Sequence, residues 1–491
     1  MIDIPTLITF IVYFAAIIGV GIIASNRNKN ISDYVLGGRS LGSAVAAMGV
    51  GASDMSGWLL LGLPGAIYAS GMKEIWMPIG LSIGAFLNWQ FVAKRLRVYT
   101  KVANDALTIP GYFDNRFLDR SKSLRVVSAV AILVFFTFYA ASGFVSGAVL
   151  FKSTFGLNYY VALWIGAIII ILYTCLGGFL AVNWADFFQG TLMFIALVIV
   201  PIVALFHLGG WQPTINNIGQ QQLSYLDAFS HIDWVLTLSL LSWGLGYFGQ
   251  PHILVRFMAT KSPREIPKAR FICMSWMILS LYGAIFTGFI GIAYFSKTPL
   301  ANPEIVFLEF TRLLFNPWIA GILLAAVLSA IMSTIAAQLL ASASALSEDF
   351  YDTLLRRNAS DRELVIVSRV TVLIVALVAV ALAHNPDSSI LKLVGYAWAG
   401  LGASFGPLII LSLFWPRVTR NAALAGIVVG GSAVIIWKLI TDITHSQLYT
   451  LIPGFFCSLA AIIIVSLLDK KPSKEILEQH QKFLAKLHEY S

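Results

Sequence analysis

Apolar stretches long enough to cross a bilayer core as helices, about 20 residues each, recur along the chain. They fall at 6–24, 43–70, 74–93, 126–150, 159–180, 187–207, 234–254, 272–295, 317–345, 364–383, 391–414, 422–440 and 449–468. The pattern predicts thirteen spans, numbered here in that order, and an all-α integral membrane protein. Polar residues gather in short connections, the longest of which covers 94–125, so no catalytic domain fits outside the membrane. That connection is the most basic and predicts short interfacial helices. The first stretch, Thr6 to Ile23, lacks a basic leader and a small-residue cleavage site, so it reads as a retained span. After Pro472, residues Ile476, Leu477, Phe483, Leu484 and Leu487 fall at helical spacing among Lys and Glu. Two readings fit this tail: an amphipathic helix on the membrane surface or a solvated tail helix.

Composition agrees with the pattern. Hydrophobic residues make up 58% of the chain and charged ones 12%, and mean hydropathy is +0.81, which excludes soluble domains, disorder, collagen and coiled coil. The net charge of +9 would suit nucleic acid, but the positions of the charges oppose that reading. With loops alternating between two sides, 27 of the 33 Lys and Arg fall on one side. The positive-inside rule then puts the N-terminus outside and the C-terminus in the cytoplasm, and nucleic acid is not an expected partner. Cys175, Cys273 and Cys457 lie in apolar stretches without metal spacing, so they read as core residues.

Two spans carry clusters that uniform helices avoid: Gly49 to Gly57 in span 2 and Trp243 to Pro251 in span 7. Glycine weakens a helix and proline removes a donor, and unwound backbone at membrane depth survives only where it is buried or lines a cavity. Such breaks free carbonyls for a cation and amides for an anion. The breaks are five spans apart, so the second enters the bilayer from the side opposite the first, as in inverted repeats with a site between them. Asp54, inside the first cluster, is costly at membrane depth. It reads as a carboxylate facing a cation, as a local cap on the broken helix, or as both. Span 9 adds Ser329, Ala330, Ser333 and Thr334. Adjacent hydroxyls suit a hard cation such as sodium, although such groups also bond back to their own turn.

The blocks GASDMSGWLLLGLPGA from Gly51, GGFLAVNWADFFQG from Gly177 and WGLGYFGQPHILVRFMA from Trp243 resemble the solute:sodium symporter family, in particular its proline branch. YVLGGRSLG from Tyr34, AIMSTIAAQLL from Ala330 and AWAGLGASFGPL from Ala397 extend the similarity over nearly the whole chain. The resemblance implies a five-plus-five inverted-repeat, leucine-transporter-like core and sodium-coupled import of L-proline by alternating access. It implies a sodium site from the carbonyls of Ala52, Met55 and Ala330 and the hydroxyls of Ser333 and Thr334, with Asp54 essential nearby. For substrate it implies Ser56, Gly57, Tyr139, Trp243, Tyr247 and Pro251. Asp186, at the cytoplasmic mouth of spans 5 and 6, would serve the ion exit path. Arg39 would guard the inner mouth or add one more positive-inside charge. Two features depart from the family pattern: Ala185 stands where a threonine is expected before Asp186, and the outer loop from Ser296 to Pro303 is short.

The expected organisation is a peripheral first span and inner loop (1–42), a first repeat (43–208), a second repeat (209–415), then peripheral spans with a cytoplasmic tail (416–491). No cofactor is expected beyond Na+ as coupling ion, and the expected location is the bacterial cytoplasmic membrane, with one chain sufficing in the lipid bilayer. Another small solute, or proton coupling, is the alternative within transport. An intramembrane enzyme would need Asp54 and Asp186 to share a proton, which their expected depths forbid. H-E-x-x-H and phosphate-loop motifs are missing. A membrane sensor would add an output domain after the short tail.

Overall fold

The computed structural model describes residues 3–25, 36–229, 233–356 and 359–490. Among these every regular element is helical, apart from an isolated bridge between Leu41 and Thr260. Span 1 is Ile4–Ser25, span 2 comprises Ser43–Asp54 and Leu63–Ser70, and span 3 runs from Trp76 to Val102 through a wide π turn at Asn88–Ala93. Span 4 is Ser123–Phe155, spans 5 and 6 share Tyr159–His207, and span 7 comprises Trp234–Leu241 and Pro251–Ala259. Ile266–Tyr294, Pro317–Ser344, Asp361–Leu382, Ile390–Phe414, Arg420–Thr444 and Leu451–Leu468 are spans 8 to 13. Tyr34 and Val35, at the start of one sequence block, lie outside the described residues.

Both expected breaks are present. Span 2 leaves helical geometry at Met55 (φ −82, ψ 77), and span 7 passes through a 3-10 stretch, Ser242–Gly249, to Gln250 (φ −87, ψ 106). The glycines of span 2 play a different part from the one their number suggested. Gly49 and Gly51 lie inside regular helix, where an added β-carbon would come within 2.4 Å of Asn183 Oδ1 and 2.8 Å of the Trp276 ring. They permit close packing, and the break falls one turn later.

Three expectations need correction. Residues 181–186 are not a loop. As one straight helix the 49 residues Tyr159–His207 would be about 74 Å long, at 1.5 Å per residue, far more than the ~30 Å hydrocarbon core. The chain instead changes direction at Gly178 (φ 64, ψ −176), a conformation open to glycine, and 181–186 are early turns of span 6. The polarity of Asn183 and Asp186 had imitated a loop. Next, Lys94–Val102 continues span 3, and Ile109–Phe117 alone forms a separate short helix in the basic connection. Finally, the tail helix Lys474–His488 packs on protein: Phe483 stacks on Tyr99 with centroids 4.2 Å apart, and Ile476 and His480 are buried beside it. Its apolar stripe is thus largely covered by the C-terminal end of span 3, with Leu477 and Leu484 left exposed.

Spans 9 and 11 form the centre, with 89% and 83% of their most apolar windows buried, whereas spans 12 and 13 bury 33% each. Close approach at this centre depends on small residues. An added β-carbon on Gly84 would lie 2.1 Å from the Gly244 carbonyl oxygen, and one on Gly80 2.2 Å from that of Leu241, so span 3 lies against the broken part of span 7 backbone to backbone. Gly147 in span 4 has open space around it. Gly84→Ala is therefore expected to destabilise by about 1–3 kcal/mol through overpacking, and Gly147→Ala to be neutral or slightly stabilising. Thermal unfolding of the two variants in detergent checks the contrast.

Candidate functional site

The site grows from the end of the first helix of span 2. An α-helix leaves its last four carbonyls without intrahelical partners. Here the Ser56 amide turns back to the Asp54 carbonyl (3.0 Å), where a continuing helix would have met Ala52. The Ala52 carbonyl is taken up by span 9: Ser333 Oγ donates to it at 2.8 Å and Thr334 Oγ1 at 3.4 Å. Ser333 Oγ also lies 3.2 Å from the Ala330 carbonyl. Four of the expected ion ligands, Ala52, Ala330, Ser333 and Thr334, thus meet in one buried cluster of neutral oxygens. Met55 is buried at the break itself, where its amide bonds to the Gly51 carbonyl at 2.9 Å. Ser329, in contrast, bonds back to the Ala325 carbonyl at 2.8 Å, the local role weighed for such hydroxyls.

Asp54 is 1% exposed. Its side chain does not cap its own helix. Tyr247 of span 7 donates to Oδ2 in a very short hydrogen bond, and Oδ1 is buried without a protein partner. The backbone carbonyl of Asp54 accepts from Trp58 Nε1 at 3.0 Å and from Tyr139 of span 4 at 3.4 Å. One residue therefore ties together spans 2, 4 and 7. Ser56 Oγ accepts from the Trp58 amide at 3.4 Å, and the bare face of Gly57 closes on span 4, where a β-carbon would sit 2.5 Å from Ser146 Oγ.

The aromatic residues divide into two groups. Tyr247 and Tyr139 both converge on Asp54. Trp243 stacks on Tyr449, with centroids 5.1 Å apart at 15°, while its carbonyl accepts from Trp398 Nε1 at 2.8 Å. Trp398 in turn meets Tyr247 edge to face at 5.0 Å. Trp398 and Tyr449 were not singled out from the sequence. AWAGLGASFGPL contains Trp398, yet nothing in that block sets this ring apart from a packing residue. Pro251 starts the inner helix of span 7 and lines a cavity below the break.

Asp186 is not at the surface. It is 0% exposed, and Oδ2 accepts from Arg256 Nη2 at 2.9 Å. Arg256, at 2% exposure, also donates from Nε to Asn183 Oδ1 (3.0 Å) and from Nη1 to the His252 carbonyl (2.6 Å). Arg256 was counted among the loop charges after span 7. The helix runs on to Ala259, however, and draws the guanidinium inward. Ala185 is wholly buried beside the pair. Arg39 links the connections after spans 3 and 7: Nη1 donates to the Met258 carbonyl (2.6 Å), Nη2 to that of Ala106 (2.8 Å), and Nε pairs with Asp105 at 2.9 Å. It holds the C-terminal ends of spans 3 and 7 together. It lies apart from Asp186 in this network.

A family model described as the Sodium:solute symporter family matches residues 34–430. The chain belongs to that family. Among similar sodium:solute symporters and their relatives, the sodium/proline symporter of Salmonella typhimurium is 52% identical over 490 residues, covering 99% of this chain and 97% of that one. The high-affinity proline transporter PutP of Bacillus subtilis is 50% identical over 466 residues, covering 94% and 98%. A solved Na+-coupled sialic acid symporter, substrate-bound and outward-open, superposes with a TM-score of 0.81 at 20% identity, covering 96% of this chain and 99% of that one. That likeness establishes the shared leucine-transporter-like fold of this symporter.

The Asp186–Arg256 pair bridges spans 6 and 7 of the symporter with both side chains buried, so removing one partner strands a buried charge. Asp186→Asn and Arg256→Gln are each expected to cost about 3–5 kcal/mol, with the double variant losing markedly less than the sum. A double-mutant cycle on thermal or denaturant unfolding measures the coupling; additive losses would show the two side chains to be independent.

Proposed function

We propose that this chain imports L-proline together with sodium by alternating access across the bacterial cytoplasmic membrane. The observation that carries the reading is the meeting of the Ala52 and Ala330 carbonyls with Ser333 and Thr334 at the end of a broken helix. The proline assignment rests on relatives about half identical over nearly the whole chain that are named for proline transport. An all-oxygen, buried donor set suits Na+, a hard cation that is the co-transported substrate here. The Met55 carbonyl, released at the break, completes the shell, and the unspent oxygen of Asp54 supplies negative charge nearby.

Proline presents a carboxylate, an ammonium-type nitrogen and an apolar ring. The Ser56 hydroxyl and the Gly57 amide meet the carboxylate, and Tyr139, Trp243, Tyr247 and Pro251 provide wall and polar edges. Sodium and proline share the unwound segment of span 2, so each orders it for the other, and linkage makes their mutual tightening equal. Asp186 and Arg39 belong to the inner side, on the path by which the ion leaves. The site lies within a single chain, so a monomer suffices. Residues 43–208 and 209–415 form the two repeats, flanked by 1–42 and 416–491, with the N-terminus outside and the C-terminus in the cytoplasm, as the charge asymmetry requires. Enzymatic chemistry has no part in this reading.

Uptake of labelled proline into proteoliposomes is expected to depend on an inward sodium gradient. A potential of 100 mV contributes about 2.3 kcal/mol per Na+ and a tenfold gradient about 1.4 kcal/mol, which limits one-to-one accumulation to a few hundred-fold. Equal accumulation driven by protons alone would defeat sodium coupling. Thr334→Ala is expected to raise the sodium concentration for half-maximal uptake at least tenfold and Trp243→Ala to weaken proline binding more than sodium binding, while Cys457→Ser changes neither. Unchanged sodium dependence in Thr334→Ala would relocate the ion site.

A further inference from the structure

Below the break in span 7 the structure contains a cavity that the central site does not use. It begins at Pro251 and continues between spans 4, 6, 7 and 9 towards the inner connections, and most of its wall is apolar, including Ile132, Phe179 and Val182. Two charged side chains interrupt that wall: Asp349 and Arg256. Asp349 is wholly buried. Its Oδ1 accepts from Thr108 Oγ1 at 2.9 Å and lies 3.6 Å from Arg125, but Oδ2 has no protein partner. The backbone that carries it, Ala345–Leu355, is a π-helix, a rare form that concentrates at functional sites. Arg256 uses three of its five N–H groups on Asn183, His252 and Asp186, which leaves two to donate.

We infer that this cavity is a second, transient site that receives a small zwitterion leaving the central site for the cytoplasm. The inference rests on the amino-acid reading of the substrate proposed above. The unpartnered oxygen of Asp349 accepts from the substrate's ammonium, the remaining N–H groups of Arg256 donate to its carboxylate, and the apolar wall between them covers the ring. A lone cation would meet Arg256, and a lone anion would meet Asp349. A molecule carrying both charges on an apolar body suits both side chains and the wall. Arg256 also holds Asp186, so arrival of a substrate carboxylate at Arg256 competes with that pair and couples substrate release to the inner end of span 6.

The test uses the full chain in inside-out vesicles, with Cys175, Cys273 and Cys457 replaced and a reporter cysteine introduced as Ala341→Cys on the cavity wall. A maleimide is added from the cytoplasmic side. Millimolar proline is expected to slow labelling at least fivefold, whereas pyrrolidine and cyclopentanecarboxylate, each with one of the two charges, change it less than twofold. Asp349→Asn is expected to abolish protection, and Thr334→Ala, which touches the sodium cluster, to keep it. Elution as a single species in detergent verifies that each variant is folded. Protection that persists in Asp349→Asn would mean that proline acts on the cysteine from the central site, and the second site would fall. So would an absence of protection in protein that imports proline. Should the unmodified chain import no proline while another zwitterionic amino acid protects the cysteine through Asp349, the cavity stands and the proline assignment falls.

Discussion

A bilayer removes water from every backbone group it covers, and each stranded carbonyl or amide must find a partner within the protein. The break at Met55 is where this protein meets that constraint by borrowing from another span. Losing the Ser56 amide, the Ala52 carbonyl takes hydroxyls from Ser333 and Thr334 instead. The central position of span 9 follows, because a helix that supplies partners to a broken neighbour has to lie directly against it. An interaction made between neutral oxygens and hydroxyl protons is also one that a cation can replace, since the same oxygens become its ligands once the hydroxyls rotate.

Buried charge is handled in two ways. Arg256 and Asp186 neutralise each other across spans 6 and 7, with Asn183 and the His252 carbonyl taking further N–H groups, so their burial is largely compensated. Asp54 and Asp349 lack so close an ion pair, and one oxygen of each, as of Asp186, meets no protein group. Such incomplete satisfaction is expensive within a membrane protein and is retained where something outside the chain completes it. Asp54 lies beside the break in span 2, and Asp349 lines the cavity that begins at Pro251.

Small residues set how closely neighbouring spans approach. Gly80 and Gly84 bring span 3 onto the backbone of span 7, and Gly49 and Gly51 do the same for span 2 against span 6 and Trp276 of span 8. Hydrogen bonds add to this packing where polar groups meet, as between Asn88 Nδ2 of span 3 and the Tyr247 carbonyl of span 7 at 3.0 Å. The aromatic chain from Tyr247 through Trp398 to Trp243 and Tyr449 links the broken part of span 7 to span 11 and the connection before span 13.

Local sequence was enough to determine the number of spans, the two broken helices, the isolated Asp54 and the adjacent hydroxyls of span 9, because hydropathy, glycine and proline act over a few residues at a time. Motif resemblance added the residues grouped around those breaks. Tertiary structure alone decided the rest. Asp186 and Arg256 lie 70 positions apart and carry the polarity of loop residues, so nothing local reveals that each buries the other. Gly178 reverses the chain in one residue, where hydropathy averaged over a window shows only a polar dip five residues later. Phe483 covers Tyr99 because a distant helix end happens to offer a matching apolar face, which an amphipathic pattern cannot tell from a lipid surface. Pairing across long chain separations depends on which surfaces meet, and that is settled only when all the spans pack together.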